Sequence, residues 1–286
     1  MKSARLGPWI AILIGAIYFI VPLIATFEFS LRKRRGEYSL DAYRSLFEDS
    51  RFLQSFGYSA LVALATIVVG VLLVVPTAYW IRLRLPGLRP VIEFITLLPL
   101  VIPAIVIVFG YLRMYNSSSW LPFTASARAT DALLVFSYVT LSLPYMYRAV
   151  DTGLRAIDVR TLTEAGQSLG ASSARILFSV ILPNVRAAVL SGAFLTFAIV
   201  IGEFTMASLL NRPAFGPYLQ NVGANRAYEP FALAVIAFAV TWASMGLINV
   251  FGRGAVMSCA PRPKTLISPM EAQVTAKAMT ASAKGS

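Results

Sequence analysis

Glu203 is an acidic residue inside the otherwise apolar run AIVIGEFTMASLL. A carboxylate at the centre of a membrane-spanning helix costs about 2.5–3.5 kcal/mol on insertion scales, so we expect it to face the protein interior. If the run is one helix, Glu203 shares a stripe with Thr196 and Met206. Two interpretations stay open: the stripe lines a pathway for a solute, or Glu203 makes a structural ion pair or hydrogen bond.

Side chains for catalysis and metal binding are scarce. The chain has no histidine and one cysteine, Cys259, which removes the commonest general base and metal ligand and excludes an internal disulfide. No lysine follows a glycine, so the sequence contains no G-K-[ST] phosphate-binding loop. We therefore expect this chain to be no enzyme and to hold no metal or cofactor of its own.

The segment at about 158–186 is polar at its start and lies between two apolar blocks. Residues spaced at i, i+3, i+4 and i+7 predict a short helix with one small, apolar face. They are Leu162, Ala165, Gly166 and Leu169. Gly170 is suited to end this helix, because glycine tolerates the left-handed conformation common at helix termini.

A second helix is predicted after this glycine. Ser172 or Ser173 can cap it, Ile176 lies on its apolar face, and Pro183 closes it. The product is a helix–turn–helix hairpin that displays an apolar ridge beside charged residues. Such a hairpin suits docking into a groove of a partner protein, or it is an amphipathic connector that lies on lipid headgroups.

The apolar blocks that must position these residues are long. Hydrophobic residues make up 57% of the sequence and its mean hydropathy is +0.71. An apolar helix needs roughly 20 residues to cross a hydrocarbon core of about 30 Å. Six blocks qualify: 9–31, 57–81, 91–115, 132–148, 187–210 and 231–251. We therefore predict an all-α membrane protein of about six transmembrane helices, with the hairpin between spans four and five.

Three regions follow from this pattern. Residues 1–56 hold the first span and an external loop with a short interfacial helix, 57–257 form the core, and 258–286 form a disordered tail. In the third block, Pro99 and Pro103 each remove a backbone hydrogen bond and kink the span. The kink serves either a gate or packing shape alone.

The charges bear on orientation. The net charge of +12 resides mostly in loops between spans, which favours a role at the membrane surface over nucleic-acid binding. If both termini face the cytoplasm, most basic residues lie on the cytoplasmic side of the membrane. The cluster Arg32–Arg35 then lies outside and opposes the positive-inside rule.

The segment EAGQSLGASSARILFSVILP resembles the EAA loop of ATP-binding-cassette importer permeases, written EAA, three residues, G, nine residues, I, any residue, LP. The matching positions are Glu164, Ala165, Gly170, Leu182 and Pro183. Gly166 replaces the third small residue and Val180 takes the isoleucine place. GEFTMASLL and LPLVIPAIVIV further resemble spermidine/putrescine-type permeases.

The resemblance implies a permease subunit of an ATP-driven importer in the bacterial inner membrane, working by alternating access on a small solute such as a polyamine. Its implied partners are two ATPase subunits that bind the ATP, a second permease, identical or homologous, and a periplasmic or lipid-anchored solute-binding protein. Glu164, Ala165, Gly166 and Gly170 would then lie at the ATPase contact. Alternatives are an iron, phosphonate or other small-ion substrate, or a self-sufficient channel or secondary transporter.

Overall fold

The computed structural model describes residues 6–34 and 37–259. The chain divides into two units, Met1–Asn249 and Val250–Ser286. In the second unit the described residues, 250–259, are helical. The predicted disordered tail at 258–286 lies almost entirely outside the described residues.

Long apolar helices dominate the first unit and confirm the all-α membrane class. Among the described residues, four helical runs are long and apolar enough to cross a membrane. They lie in α1 (Leu6–Ser30), α3 (Ser50–Arg84), α6 (Ala127–Arg155) and the run Ser173–Gly202. The last run consists of α8 (Ser173–Ile176), a π-helical turn (Leu177–Ile181) and α9 (Leu182–Gly202). A bent helix pair raises the number to five, against about six predicted.

This bent pair corrects the predicted third span. After a 3-10 turn at Pro86–Leu88, α4 (Arg89–Val101) and α5 (Ala104–Met114) meet at an angle of 99°. Pro99 is tolerated inside α4, whereas Pro103 interrupts the helix between α4 and α5. The proline ring forces Ile102 into an extended conformation, with φ −86° and ψ 120°, so the helix cannot continue. The block at 91–115 is thus a broken pair rather than one kinked helix.

Helices α6 and α9 pack closely through glycines. A Cβ atom added to Gly153 would lie 2.5 Å from the Cβ of Ala188, and one added to Gly192 would lie 2.7 Å from the sulfur of Met146. Small residues allow such backbone approach between membrane helices, where hydrophobic driving force between helices is weak. The two helices that enter and leave the hairpin segment are therefore tightly joined.

Shorter elements connect the spans. They are β1 (Arg32–Arg34), β2 (Glu37–Tyr38), α2 (Asp41–Glu48), α7 (Val159–Ser168), α10 (Thr205–Leu209) and α11 (Phe215–Asn225). The final helix, α12 (Glu229–Cys259), contains the predicted sixth block. Its part from Glu229 to Ser244 is apolar. The hydroxyl of Ser39 accepts the Asp41 N–H at 2.9 Å, which supports the start of the predicted interfacial helix α2.

The basic cluster after α1 is partly neutralised. Arg32 donates from Nε to Glu28 Oε1 at 2.7 Å, and Lys33 Nζ lies 2.6 Å from Asp41 Oδ2. The pKa of the Asp41 carboxyl lies below its ordinary value because Lys33 and Ser39 donate hydrogen bonds to it. Two of the four charges that oppose the positive-inside rule are therefore paired locally.

Candidate functional site

The hairpin at 158–186 forms as predicted in its first half. Asp158 caps α7: its Oδ1 accepts the Thr161 N–H at 3.1 Å and its Oδ2 accepts the Thr161 hydroxyl at 2.7 Å. These bonds hold the pKa of the Asp158 carboxyl below its ordinary value. The sequence analysis does not name this cap, although Asp is a preferred residue directly before the first turn of a helix.

Gly170 ends α7 in the left-handed conformation, with φ +76°. Its N–H donates to the carbonyl of Gln167 at 2.8 Å, and the Ala171 N–H donates to the carbonyl of Gly166 at 3.0 Å. This pair of bonds is the Schellman motif, which satisfies the last carbonyls of a helix. The prediction that this glycine terminates the helix is confirmed.

The apolar ridge of the second helix is buried, which corrects the predicted display. Ile176 is fully buried and packs against Gly166, where an added Cβ would lie 2.8 Å from Ile176 Cγ1. Leu177 and Ile181 are buried beside it. Ile176 therefore fixes the angle between the two helices and is not exposed to a partner.

The outer surface of the hairpin carries a different set of side chains. Leu169, beside the turn, is 89% exposed, and Ala165 and Glu164 are also exposed. Arg160 donates from Nε to Glu164 Oε1 at 2.8 Å, one helical turn away. A large apolar side chain at an exposed turn, flanked by an ion pair, has the form of a docking anchor with a charged rim.

Pro183 does not close the second helix, contrary to the prediction. The π-helical turn at Leu177–Ile181 precedes it, and the Leu182 N–H donates to the carbonyl of Leu177, five residues back. The wider turn changes the hydrogen-bond register just before the proline, which lacks an N–H and sits in the first turn of α9. One continuous helical run therefore links the hairpin to the span that ends at Gly202.

Glu203 lies at a helix break rather than on a continuous stripe. α9 ends at Gly202, Glu203 is extended with ψ 130°, and α10 begins at Thr205. The Met206 N–H donates to Glu203 Oε2 at 2.9 Å, so the carboxylate caps α10. The structural hydrogen bond, one of the two interpretations of this residue, is present.

Thr196 and Met206, the other predicted pathway residues on this run, are buried inside the protein. Thr196 is fully buried and its hydroxyl donates to the carbonyl of Gly192 at 2.9 Å. Met206 is fully buried in a cluster that also contains Val108 and Tyr138, with Ala104 packed against it. The helices that follow the two breaks, α5 and α10, thus pack on each other, which brings Pro103 near the Glu203 region. The hairpin residues belong to a separate cluster.

The cap makes a direct prediction for stability. Replacing Glu203 with leucine removes the acceptor for the Met206 N–H, and we expect a loss of about 1 kcal/mol in the free energy of unfolding, the usual value of a helix cap. Glu203→Gln keeps a side-chain oxygen and should stay within a few tenths of the parent. Thermal unfolding of the purified protein in detergent measures both. Equal stability of the leucine variant would contradict the cap.

Taken with the spans, these features define a helical multispan membrane protein. It carries a helical hairpin between two tightly packed helices and has two broken helices in its core. Residues 84–251 match the model of the family described as "Binding-protein-dependent transport system inner membrane component". The chain belongs to this family.

Relatives with known roles share parts of the chain. The molybdenum transport system permease protein ModB of Escherichia coli K12 is 30% identical over 43% of this chain, and the match spans 56% of ModB. The spermidine/putrescine transport system permease protein PotC of the same strain is 37% identical over 29% of the chain and 31% of PotC. The putrescine permease PotI is 22% identical over 72% of the chain and 76% of PotI. The chain thus aligns with about half of ModB and a third of PotC.

The fold is also known from solved structures. A crystal structure of a bacterial ABC transporter that imports the acidic polysaccharide alginate contains a chain with a TM-score of 0.67 and 15% identity, covering 88% of this chain and 94% of that one. The same transporter with a pentasaccharide-bound periplasmic protein gives a TM-score of 0.66 at 16% identity, with 88% and 93% covered. At this identity the likeness concerns the fold.

Proposed function

We propose that this chain is the transmembrane permease subunit of an ATP-driven importer and that its hairpin docks on a separate ATPase subunit. The observation that carries the proposal is the exposed Leu169 beside the Gly170 turn, on a hairpin locked by buried contacts between Gly166 and Ile176. Because the two hairpin helices are fixed to each other, a movement of a partner bound at Leu169 would displace the whole hairpin. Family membership supports the same role.

The proposed assembly contains two ATPase subunits, which bind the ATP, a second permease and a solute-binding protein on the outer face. This chain itself binds no nucleotide or cofactor. Both termini and the hairpin face the cytoplasm, because the hairpin must share a compartment with ATP. Labelling checks the orientation: with Cys259 replaced by serine, a cysteine at the exposed Gln167 should resist membrane-impermeant reagents in intact cells and react in inverted vesicles. Labelling from outside would sink the proposal.

The small solute is the finer part of the proposal. Polyamines such as spermidine or putrescine come first because PotC and PotI are relatives, and a small oxyanion such as molybdate follows from ModB. Uptake of labelled putrescine, spermidine and molybdate by cells with and without the gene compares these classes. Affinity purification in mild detergent tests the importer itself. An ATPase subunit should be retained, whereas ATP-independent flux through the purified chain alone would indicate a channel.

We place Glu203 on the solute pathway, with Thr196 and Met206 behind it and the breaks at Pro99–Pro103 and Glu203 as its moving parts. Non-helical backbone inside a membrane protein is tolerated where it is buried or lines a cavity. Uptake by Glu203→Gln tests the role of the charge, since this variant keeps the α10 cap. Full uptake with unchanged solute preference would mean that the charge of Glu203 has no role in transport and that this residue only caps α10.

Leu169 makes a separate prediction for docking. Truncation to alanine should leave folding unchanged, because the side chain is 89% exposed. Burying a leucine contributes about 1.5–3 kcal/mol, so retention of the ATPase should weaken roughly tenfold or more. Phe178→Ala, at another exposed apolar position of the segment but away from the turn, is the matched control. Quantitative co-purification measures both, and equal losses would contradict docking through the turn.

A further inference from the structure

Asp151 lies on α6, one turn before the end of that helix, where the chain enters the hairpin. Its side chain is only 12% exposed, yet it is surrounded by guanidinium groups. Arg155 donates from Nε to Asp151 Oδ2 at 2.8 Å, and Arg89 donates from Nη2 to the same oxygen at 3.3 Å. Arg82 Nη2 lies 3.6 Å from Oδ1. One carboxylate thus joins α3, α4 and α6.

Glu93 closes this network on α4. It accepts a hydrogen bond from Arg89 Nε at 2.9 Å and one from Arg155 Nη2 at 3.4 Å. Three arginines therefore share two carboxylates, and Asp151 is the member with the least exposed side chain. Removing that carboxylate would leave Arg89 and Arg155 sharing Glu93 and would take away the carboxylate that Arg82 faces, which makes Asp151 the centre of the cluster.

Helix α4 has few fully buried side chains among the described residues. Thr96 is its buried residue, whereas Phe94 and Val101 are exposed. The helix packs mainly on α6 and ends at the break before Pro103. The position of α4 is therefore set by its packing on α6, by Ile92 at the edge of the hydrophobic core, and by the ion pairs of Arg89 and Glu93.

The base of the hairpin is, by contrast, firmly anchored. α6 continues into α7 after three residues, 156–158, and is clamped to α9 at Gly153. The hydroxyls of Tyr79 and Thr163, both buried, lie 3.1 Å apart and fasten α7 to α3. Asp151 therefore sits on the rigid base and reaches across to the loosely packed α4.

We propose that Asp151 is a positioning residue that makes α4, the first half of the broken span, move together with the hairpin when the ATPase changes state. The inference rests on the proposed function. A push on the hairpin is passed through α6 to Asp151, from there to Arg89 and Glu93, and then along α4 to the break at Ile102–Pro103. Loss of the carboxylate frees α4 while docking and ATP hydrolysis continue.

Spin-label distances test this linkage and need no knowledge of the solute. Labels are placed on cysteines at the exposed positions Val91 of α4 and Ser179 of the hairpin segment, with Cys259 replaced by serine. The whole complex is measured without nucleotide and after trapping with ATP and vanadate. We expect the Val91–Ser179 distance to stay constant in the parent. In Asp151→Asn it should match the parent without nucleotide and shift or broaden by about 2 Å or more after trapping, the scale of helix shifts in switching proteins.

Arg89→Gln removes the bonds of Arg89 to Asp151 and Glu93, leaves the Arg155–Glu93 pair, and serves if Asp151→Asn fails to fold. Arg44→Gln, which breaks the exposed Arg44–Glu48 pair on α2, is the control and should behave as the parent. A parent distance that changes on trapping, or an Asp151→Asn or Arg89→Gln complex that keeps the parent distance after trapping, overturns the inference. Failure of the proposed function looks different, since the parent chain would then retain no ATPase and vanadate would trap nothing.

Discussion

Replacing Gly170 with valine is expected to abolish ATP-driven uptake while the spans remain folded. The glycine has φ +76°, a conformation that costs a β-branched residue about 1–3 kcal/mol. A Cβ at this position meets no atom within 4 Å, so the strain is in the backbone and is relieved by unwinding the turn. Unwinding removes the bonds to Gln167 and Gly166 and displaces Leu169. Uptake and ATPase retention should both fall at least about tenfold, as for a coupling of 1.4 kcal/mol or more.

Asparagine provides the matched control at the same position. It tolerates the left-handed conformation better than other non-glycine residues, so Gly170→Asn should keep most of the uptake and retain the ATPase. Thermal unfolding in detergent should be nearly equal for both variants, because the turn lies outside the spans. Undiminished uptake by the valine variant would show that the turn conformation is not needed for coupling.

Replacing Gly216 with alanine is expected to have the largest effect on stability. A Cβ atom at this position of α11 would lie 2.3 Å from the Glu203 carbonyl oxygen and 2.9 Å from the Phe204 Cα. Both are backbone atoms of the helix break, so they cannot move aside as a flexible side chain would. Overpacking of this kind costs about 1–3 kcal/mol, and we expect the upper end or more. The apparent Tm in detergent should drop and the Glu203 cap should be disturbed.

Gly223 is the control on the same helix. The nearest atom to an added Cβ there is Pro230 Cγ at 3.9 Å, an ordinary contact, so Gly223→Ala should leave the Tm unchanged or slightly raised. Equal effects of the two substitutions would mean that Gly216 of α11 does not pack closely on the backbone of Glu203 and Phe204.

Local patterns in the sequence were sufficient where neighbouring residues decide the structure. The apolar blocks predicted the spans, and Gly170 was recognised as a helix terminus because its conformation is set by the chain around it. A cap by Ser172 or Ser173 is predicted for the same reason, and it is the Ser172 hydroxyl that accepts the Arg175 N–H, at 3.4 Å. The docking role of the turn and the pathway role of Glu203 remain predictions.

Tertiary contacts decided what the patterns could not. An apolar face on the second hairpin helix is the same in sequence whether it meets a partner or its own protein, and Ile176 proved to meet Gly166. The run around Glu203 reads as one apolar helix, yet the backbone of Gly216 approaches at the point where it opens. Asp151 was not singled out, since two of its three arginines, Arg82 and Arg89, come from helices distant in sequence.

The π-helical turn changes the phase of the helical run that contains it. Ile176 and Leu177 are buried where the turn begins, and Ile181, Val185 and Val189 are buried after them at intervals of four. One additional residue rotates a helix by about 100°. The extra residue therefore rotates the face of α8 relative to the face of α9. One continuous helical run can thus pack on α7 before the turn and on α6 after it. Shortening the turn by one residue would misalign these two contacts while leaving every amino-acid type in them unchanged.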